Sequence, residues 1–290
     1  MTRRMAEQIS TGALRSYVHM VAWAATLLAL ASCGGAGTPP AARGIPPASA
    51  VPSPTVVAPS AASSAPPSPP VTSPKPRPEP VTAGLAGSRL TTGSAMVALT
   101  FDDGPDPRVT PQLLDLLRTH HVSATFCLVG ERVKLYPRLT ARIAAEGHTL
   151  CNHSWDHAEY LYKRGDAQMA RDLERTSAEI HRAVPGVPIR YFRAPYGNFT
   201  PGLIHVASRL NMIPLGWSVD DQCYLSDRYG TGRAMVRHMT ARVRRETKAG
   251  SVILSHDLDK PQTLVAYRQL LPWLRKRFEM AALPPDPPPA

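Results

Sequence analysis

The chain has 290 residues, a formal net charge of +11, 31 prolines and 6% aromatic side chains. Its length suits one sizeable folded domain, and its uneven composition argues against two. The bases are scattered along helical stretches, as at Arg142, Arg171, Arg182 and Arg242, without interleaved aromatics. That pattern excludes a nucleic-acid strand-binding surface and leaves a solvated basic face.

Residues 1–33 read as a secretory leader. Arg3, Arg4 and Arg15 precede an apolar run from Met20 to Ala31, which leads into Leu30-Ala31-Ser32-Cys33. The run is shorter than the ~20 residues of a membrane span, and its end resembles a bacterial lipobox. Cys33 is the expected lipidation site, with an uncleaved anchor as the alternative. The protein is then exported and lipid-anchored to the bacterial cell membrane, facing the wall or periplasm. Residues 34–93 are rich in Pro, Ala and Ser, as in Pro39-Pro40, Pro46-Pro47 and Pro66-Pro67. Such a segment cannot bury a core and is expected to be a disordered, extended spacer. The folded domain is expected over 94–283, followed by a disordered Pro-rich tail over 284–290.

Short apolar runs and amphipathic helices alternate from Met96 onward. Met96, Val97, Ala98, Leu99 and Phe101 form a strand too apolar to be wet on either face, so the sheet is expected to be parallel and covered by helices. A helix from Pro111 to about His120 follows, then strand two at Ala124–Val129, a helix over Tyr136–Glu146 and strand three at His148–Asn152. A longer helix spans Asp166–Val184, with Met169, Leu173, Ile180 and Val184 at helical spacing. Strand four is Ile189–Arg193, a helix starts at Thr200-Pro201, and strand five is Met212–Trp217. Thr231 opens a basic helix, Ser251–Ser255 is strand six, a helix runs from Pro261 to about Arg277, and Phe278–Leu283 is a weaker seventh strand. Apart from Cys33 there are three cysteines, Cys127, Cys151 and Cys223. A Cys127–Cys151 disulfide fits their place on consecutive strands, and free buried thiols are the alternative.

In parallel α/β folds the active site lies beyond the carboxyl ends of the strands, and polar residues gather there. Asp102 and Asp103 end strand one, ahead of Gly104-Pro105. Adjacent carboxylates repel unless a cation or an arginine offsets them, so the pair asks for a metal, a proton-transfer role, or both. A solvated turn is the plain alternative. After strand three, His153 and His157 are four apart, so on a helical turn both imidazoles would face one ion. Two His and one Asp leave positions open for water, as a catalytic rather than a structural zinc-type site requires. Arg193-Ala194-Pro195-Tyr196 follows strand four, Trp217-Ser218-Val219-Asp220 strand five, and Leu254-Ser255-His256 strand six.

Together with Thr100-Phe101-Asp102-Asp103-Gly104-Pro105 and His153-Ser154-Trp155-Asp156-His157, these blocks resemble, in order, the five motifs of the polysaccharide deacetylases, the NodB-homology domain of carbohydrate esterase family 4. The resemblance covers roughly Ser94 to Leu283. It implies a distorted parallel (β/α) barrel of about seven strands that removes acetyl groups from N-acetylated polysaccharide such as peptidoglycan or chitin. By position, Asp102 is the base, and Asp103, His153 and His157 hold a divalent metal. Zinc fits these ligands best, with cobalt, nickel or manganese as substitutes. Arg193 orients the base, the backbone N–H of Tyr196 after Pro195 serves the oxyanion, and His256 protonates the leaving amine. Leu254 and Tyr224 line the acetyl pocket. Trp155 and Trp217 stack on sugar or simply pack, packing being the reading preferred for Trp217.

The fourth block departs from the family pattern. Family members commonly read Asp-x-x-Asp-Trp, whereas this chain has Asp220-Asp221-Gln222-Cys223-Tyr224, which puts Cys223 where a carboxylate tunes the acid histidine. Asp220 is the candidate to replace it, with Asp221 or Asp227 as alternatives. Two rival functions remain: an O-acetyl esterase using the same site, and a weakly active glycan-binding lipoprotein. The sequence does not specify the oligomeric state.

Overall fold

Seven parallel strands carry the fold in the computed structural model, which describes residues 81–285. Cys33, the leader and most of the spacer lie outside the described residues. The strands are β1 Ala98–Asp102, β2 Thr125–Leu128, β3 Thr149–Asn152, β4 Tyr191–Phe192, β5 Ile213–Pro214, β6 Val219–Asp220 and β7 Val252–His256. Their order is β5-β4-β3-β2-β1-β7-β6. This is a barrel numbered around its circumference, joined between β7 and β1 and open between β5 and β6. The helices are α1 Thr110–Thr119, α2 Gly130–Leu135, α3 Pro137–Ala145, α4 Asp166–Ala183, α5 Pro201–Arg209, α6 Ser226–Tyr229, α7 Arg233–Glu246 and α8 Pro261–Arg275. The expected distorted (β/α) barrel is thus the fold observed.

The two-residue period of a strand sorts β1 into an outer and an inner set. Leu99 and Phe101 face the helices, where Phe101 meets Phe126 at 5.4 Å and Tyr267 at 5.2 Å between ring centroids. Ala98 faces the interior with Cys127, Cys151, Tyr191, Leu215, Val252 and Leu283. Thr100 and Asp102 continue that inner row, so the alternation that builds the core also aims the first carboxylate into the barrel mouth. Cys127 and Cys151 are opposed in register on β2 and β3, 4.2 Å apart at Cα, and are joined by a disulfide. Cys223 is a buried free thiol.

Four expectations need correction. Part of the predicted spacer belongs to the domain: Arg89 donates its N–H to Pro214 and accepts at its carbonyl from Gly216, and Thr92 N–H donates to Gly250. This segment lies along β5, where the barrel is open, and Arg89 is itself buried. The apolar run predicted as one strand from Met212 to Trp217 is interrupted at Leu215–Ser218. The chain crosses the open seam there, and Val219–Asp220 pairs with β7 as a separate strand. Phe278–Leu283 is not a strand. It makes one isolated bridge, Val97 to Met280, then inserts Leu283 into the barrel floor, where its N–H donates to Thr125 Oγ1 and its carbonyl accepts from Thr149 Oγ1. The tail begins ordered, since the Pro284 carbonyl accepts from Tyr191 OH at 3.0 Å; residues 286–290 lie outside the described residues.

Candidate active site

The loops at the carboxyl ends of the strands are tied to one another by backbone hydrogen bonds. Val129 N–H donates to Gly104, Gly130 to Ser154, Glu131 to Trp155, and Asp257 to Asp102. Six non-glycine residues here have positive φ: Asp103 (74°), Ser154 (64°), His157 (53°), Tyr196 (57°), Gln222 (58°) and Asp259 (52°). Such backbone is costly for L-residues and persists where surrounding contacts over-determine it. At Asp103 it turns the second carboxylate away from the strand period, so Asp102 and Asp103 serve one site from different directions.

His153 and His157 do not lie on a helical turn as expected. His153 follows β3 directly, and His157 is reached through an irregular loop anchored from below. Asn152 Oδ1 accepts from Ser154 N–H at 3.0 Å, Ser154 Oγ from His157 N–H at 3.1 Å, and Asp172 Oδ1 from Trp155 N–H at 2.8 Å. Asp172 was missed in the sequence. The signal was a carboxylate within the buried stripe of α4, which Arg164 pairs at 3.1 Å.

Nε2 of His153 and of His157 lie 3.3 and 3.2 Å from Asp103 Oδ1, and the three ligand atoms fall within 4.8 Å of one another. His153 Nδ1 is 2.8 Å from the Arg193 carbonyl, which can only accept, so the ring proton sits on Nδ1 and Nε2 presents a lone pair to the cluster. Asp103 Oδ1 is buried and makes no well-formed hydrogen bond. An orphaned carboxylate oxygen beside a bare imidazole nitrogen fits a shared divalent cation, and the donor set suits zinc-type coordination with positions left for water. The charges of the cluster act on one another. Burial works to raise the Asp103 carboxyl, but the imidazole of His153 and the charges of His256 and His157 prevail and hold it well below the usual carboxylate range. Burial works to lower His153, but the charges of Asp102 and Asp103 raise it. Burial, then the like charge of His153, brings His157 down to about 4, which keeps it neutral as a metal ligand must be.

Arg193 is fully buried and runs across the barrel interior. Its NH1 donates to Asp102 Oδ1 at 2.7 Å and to Thr100 Oγ1 at 2.8 Å. Nε and NH2 donate to the carbonyls of Leu215 and Gly216, each at 3.0 Å. A buried charge held by four acceptors cannot rotate away, so Asp102 keeps a fixed cationic partner. Asp102 Oδ2 lies 3.7 Å from His153 Nε2, which puts the base beside the ion site without making it a ligand.

Pro195–Gly197 forms a tight turn in which the exposed Tyr196 ring lies 4.7 Å from the His157 ring. Leu254 is buried on the inner side of β7, in the row that ends at His256. Tyr224 is half-exposed and meets the His256 ring edge-on at 5.7 Å. Trp217 packs 5.7 Å from the Arg193 guanidinium. Trp155 is buried beneath Arg175, with Nε1 on Glu131, and is not a sugar platform.

Asp220, the candidate to orient His256, is engaged elsewhere. Its Oδ1 accepts from Gln222 N–H at 2.8 Å and its Oδ2 from Tyr224 OH at 2.8 Å. Asp221 is also committed, to Ser255 Oγ at 2.6 Å and Cys223 N–H at 2.9 Å, and burial raises it to about 6. The atom against His256 Nδ1 is Cys223 Sγ, at 3.2 Å. Asp257, in the polar block after strand six, was given no role in the sequence. It is fully buried, accepts from Thr110 Oγ1, and burial raises it to about 7.

A carboxylate fixed in place by a buried guanidinium, next to an ion grip with open positions and opposite a histidine, is equipment for hydrolysis at a carbonyl. Comparison with known proteins narrows that class. Residues 89–214 match the family model described as polysaccharide deacetylase. A chitooligosaccharide deacetylase of Sinorhizobium fredii is 36% identical over 213 residues, covering 68% of this chain and 94% of the relative. A peptidoglycan-N-acetylglucosamine deacetylase of Bacillus cereus is 32% identical over 184 residues, covering 63% and 83%. The crystal structure of a peptidoglycan N-acetylglucosamine deacetylase bound to an N-hydroxybenzamide superposes with a TM-score of 0.60 at 32% identity, covering 66% of this chain and 86% of that one. The chain belongs to the polysaccharide deacetylase family, the NodB-homology domains of carbohydrate esterase family 4. It is an enzyme of that family, a hydrolase of acetyl groups on polysaccharide.

Proposed function

We propose that this protein is a metal-dependent deacetylase of cell-wall N-acetylglucosamine polymers, held outside the cytoplasmic membrane by a lipid on Cys33. The observation that carries the chemistry is the pairing of Asp102 with Arg193 at 2.7 Å beside the Asp103–His153–His157 grip. Asp103, His153 and His157 would hold a divalent metal, zinc by its ligands, which would supply polarisation of the acetyl carbonyl and acidification of water. Asp102 takes the proton of the attacking water, and Arg193 holds that carboxylate in position through its hydrogen bond. The backbone N–H of Tyr196 faces the oxyanion of the tetrahedral intermediate. His256 gives a proton to the departing amine, while Leu254 and Tyr224 bound the space for the acetyl methyl. Acetate and a free amine result.

Peptidoglycan is favoured over chitin because the leader and the Pro-rich stretch ahead of the domain would present it to the wall at the membrane surface. Both substrates occur among the named relatives. The test compares kcat/KM for acetate release from N-acetylated peptidoglycan fragments and from chitooligosaccharides of matched length. Preference for the former supports the proposal, and preference for chitooligosaccharides overturns the substrate assignment. Metabolic labelling with a fatty-acid probe tests the anchor: label lost on Cys33→Ala supports it, and label retained excludes it.

A further inference from the structure

We propose that Cys223 is a positioning residue for the proton-donating histidine: its buried thiol holds the His256 ring by Nδ1 and assigns Nε2 to the reaction. The inference rests on the deacetylase reading above for the role of His256, and on geometry for the rest.

Cys223 Sγ lies 3.2 Å from His256 Nδ1, within hydrogen-bond reach for sulfur. The cysteine is itself fixed on three sides. Its N–H donates to Asp221 Oδ1 at 2.9 Å, its carbonyl accepts from Gln262 Nε2 at 3.2 Å, and its side chain is fully buried. Asp221 is in turn held by Ser255 Oγ, which bonds Tyr267 OH at 2.6 Å, so the support reaches the core of α8. His256 ends β7 opposite Asp102 on β1, with its carbonyl taken by Thr263 Oγ1. Ring and sulfur are therefore presented to each other by rigid elements.

A thiol suits this place for a reason a carboxylate does not share. Burial, then the Asp221 carboxylate, push the thiol well above its ordinary value, so it stays protonated. A neutral thiol gives its S–H to Nδ1 of the neutral ring and accepts Nδ1–H from the imidazolium. The contact therefore survives both protonation states of His256. In the neutral ring it places the remaining proton on Nε2, the nitrogen left to serve the amine. Nothing is oxidised or covalently joined in this cycle; one proton leaves Nε2 for the amine and is restored from solvent. The two neighbouring carboxylates do not compete for Nδ1, since Asp220 and Asp221 are committed as described.

The test uses the full chain in two arms. In the first, ¹⁵N-histidine spectra identify the His256 ring by its loss in His256→Asn and read its tautomer at a pH where it is neutral. The wild type and Cys223→Ser should show an unprotonated Nδ1, and Cys223→Ala a mixture of tautomers. In the second, Cys223→Ala should lower kcat about tenfold, a fraction of what a general acid supplies, with KM within about twofold of the wild type. Cys223→Ser should recover most of that loss. Should the alanine variant fail to fold, Cys223→Val fills the volume without a donor or acceptor and takes its place in both arms. A Cys223→Ala or Cys223→Val variant with wild-type kcat and an unaltered tautomer overturns the proposal. The first arm needs no turnover, so an inactive wild type would count against the deacetylase reading while the spectra still decide the role of Cys223.

Discussion

Arg193 binds Asp102 through NH1 at 2.7 Å, while its own carbonyl lies 2.8 Å from His153 Nδ1. One buried residue thus fixes the position of the base with its side chain and the tautomer of an ion-binding histidine with its backbone. Arg193→Met should cost about 3–5 kcal/mol of stability, because Asp102 is left as an uncompensated buried charge. It should also lower kcat/KM by at least about 100-fold. Urea unfolding and initial rates check both. Stability within 1 kcal/mol of the wild type would show that Asp102 does not depend on this partner.

Zinc binding should be visible without turnover. At about 100 times its dissociation constant, zinc should add about 3 kcal/mol to unfolding and raise the melting temperature. His157→Ala and Asp103→Asn should abolish that rise while leaving the metal-free melting temperature near the wild-type value. Calorimetric titration gives the stoichiometry, expected to be one ion per chain. Undiminished binding in either variant would place the ion elsewhere.

His148 provides a pH signature far from the ion. Its Nδ1 accepts from Ala124 N–H at 3.0 Å, and burial lowers the group to about 4. Below about 6.5 the unfolded chain takes up a proton here that the folded protein refuses until about 4. The contribution of His148 is therefore full above about 6.5 and is lost as the pH falls towards 4, by up to about 3 kcal/mol. His148→Gln keeps an acceptor for Ala124 and should flatten the decline in unfolding free energy between pH 7 and pH 4.5. Parallel declines in both proteins would exclude this residue as the cause.

The disulfide between Cys127 and Cys151 closes a segment of 24 residues. Chain-entropy reasoning puts its contribution at about 3 kcal/mol. The Cys127→Ala, Cys151→Ala double variant should lose about that much in urea unfolding, whereas reducing agent should leave the double variant unchanged.

The barrel and most of its mouth were legible in the sequence because β1, β2, β3 and β7 are short, largely apolar runs, and β1, β3 and β7 end at carboxylate, amide or imidazole side chains. The less legible parts lie where pairing is too short to leave a period. Val219–Asp220 is only two residues and sits four residues beyond β5, so the sequence shows one strand over Met212–Trp217 and no separate strand after it. Phe278–Leu283 is apolar because Leu283 closes the barrel floor, which imitates a strand in composition. The helical spacing of His153 and His157 was a coincidence of number: positive φ at Ser154 and His157 brings the rings together without a helix. Asp172 and Asp257 were hidden because a buried carboxylate in a helix stripe, or one after a strand, shows its partner only in three dimensions.

The deciding measurement is acetate release from N-acetylated peptidoglycan fragments by the wild type and by Asp102→Asn, each with chelator and with zinc restored. Release by the wild type that chelator abolishes and zinc returns, with none from an Asp102→Asn protein that still binds zinc, is the expected result. Equal release by Asp102→Asn, or wild-type release that persists in chelator, would contradict a base at Asp102 working beside a metal at Asp103, His153 and His157.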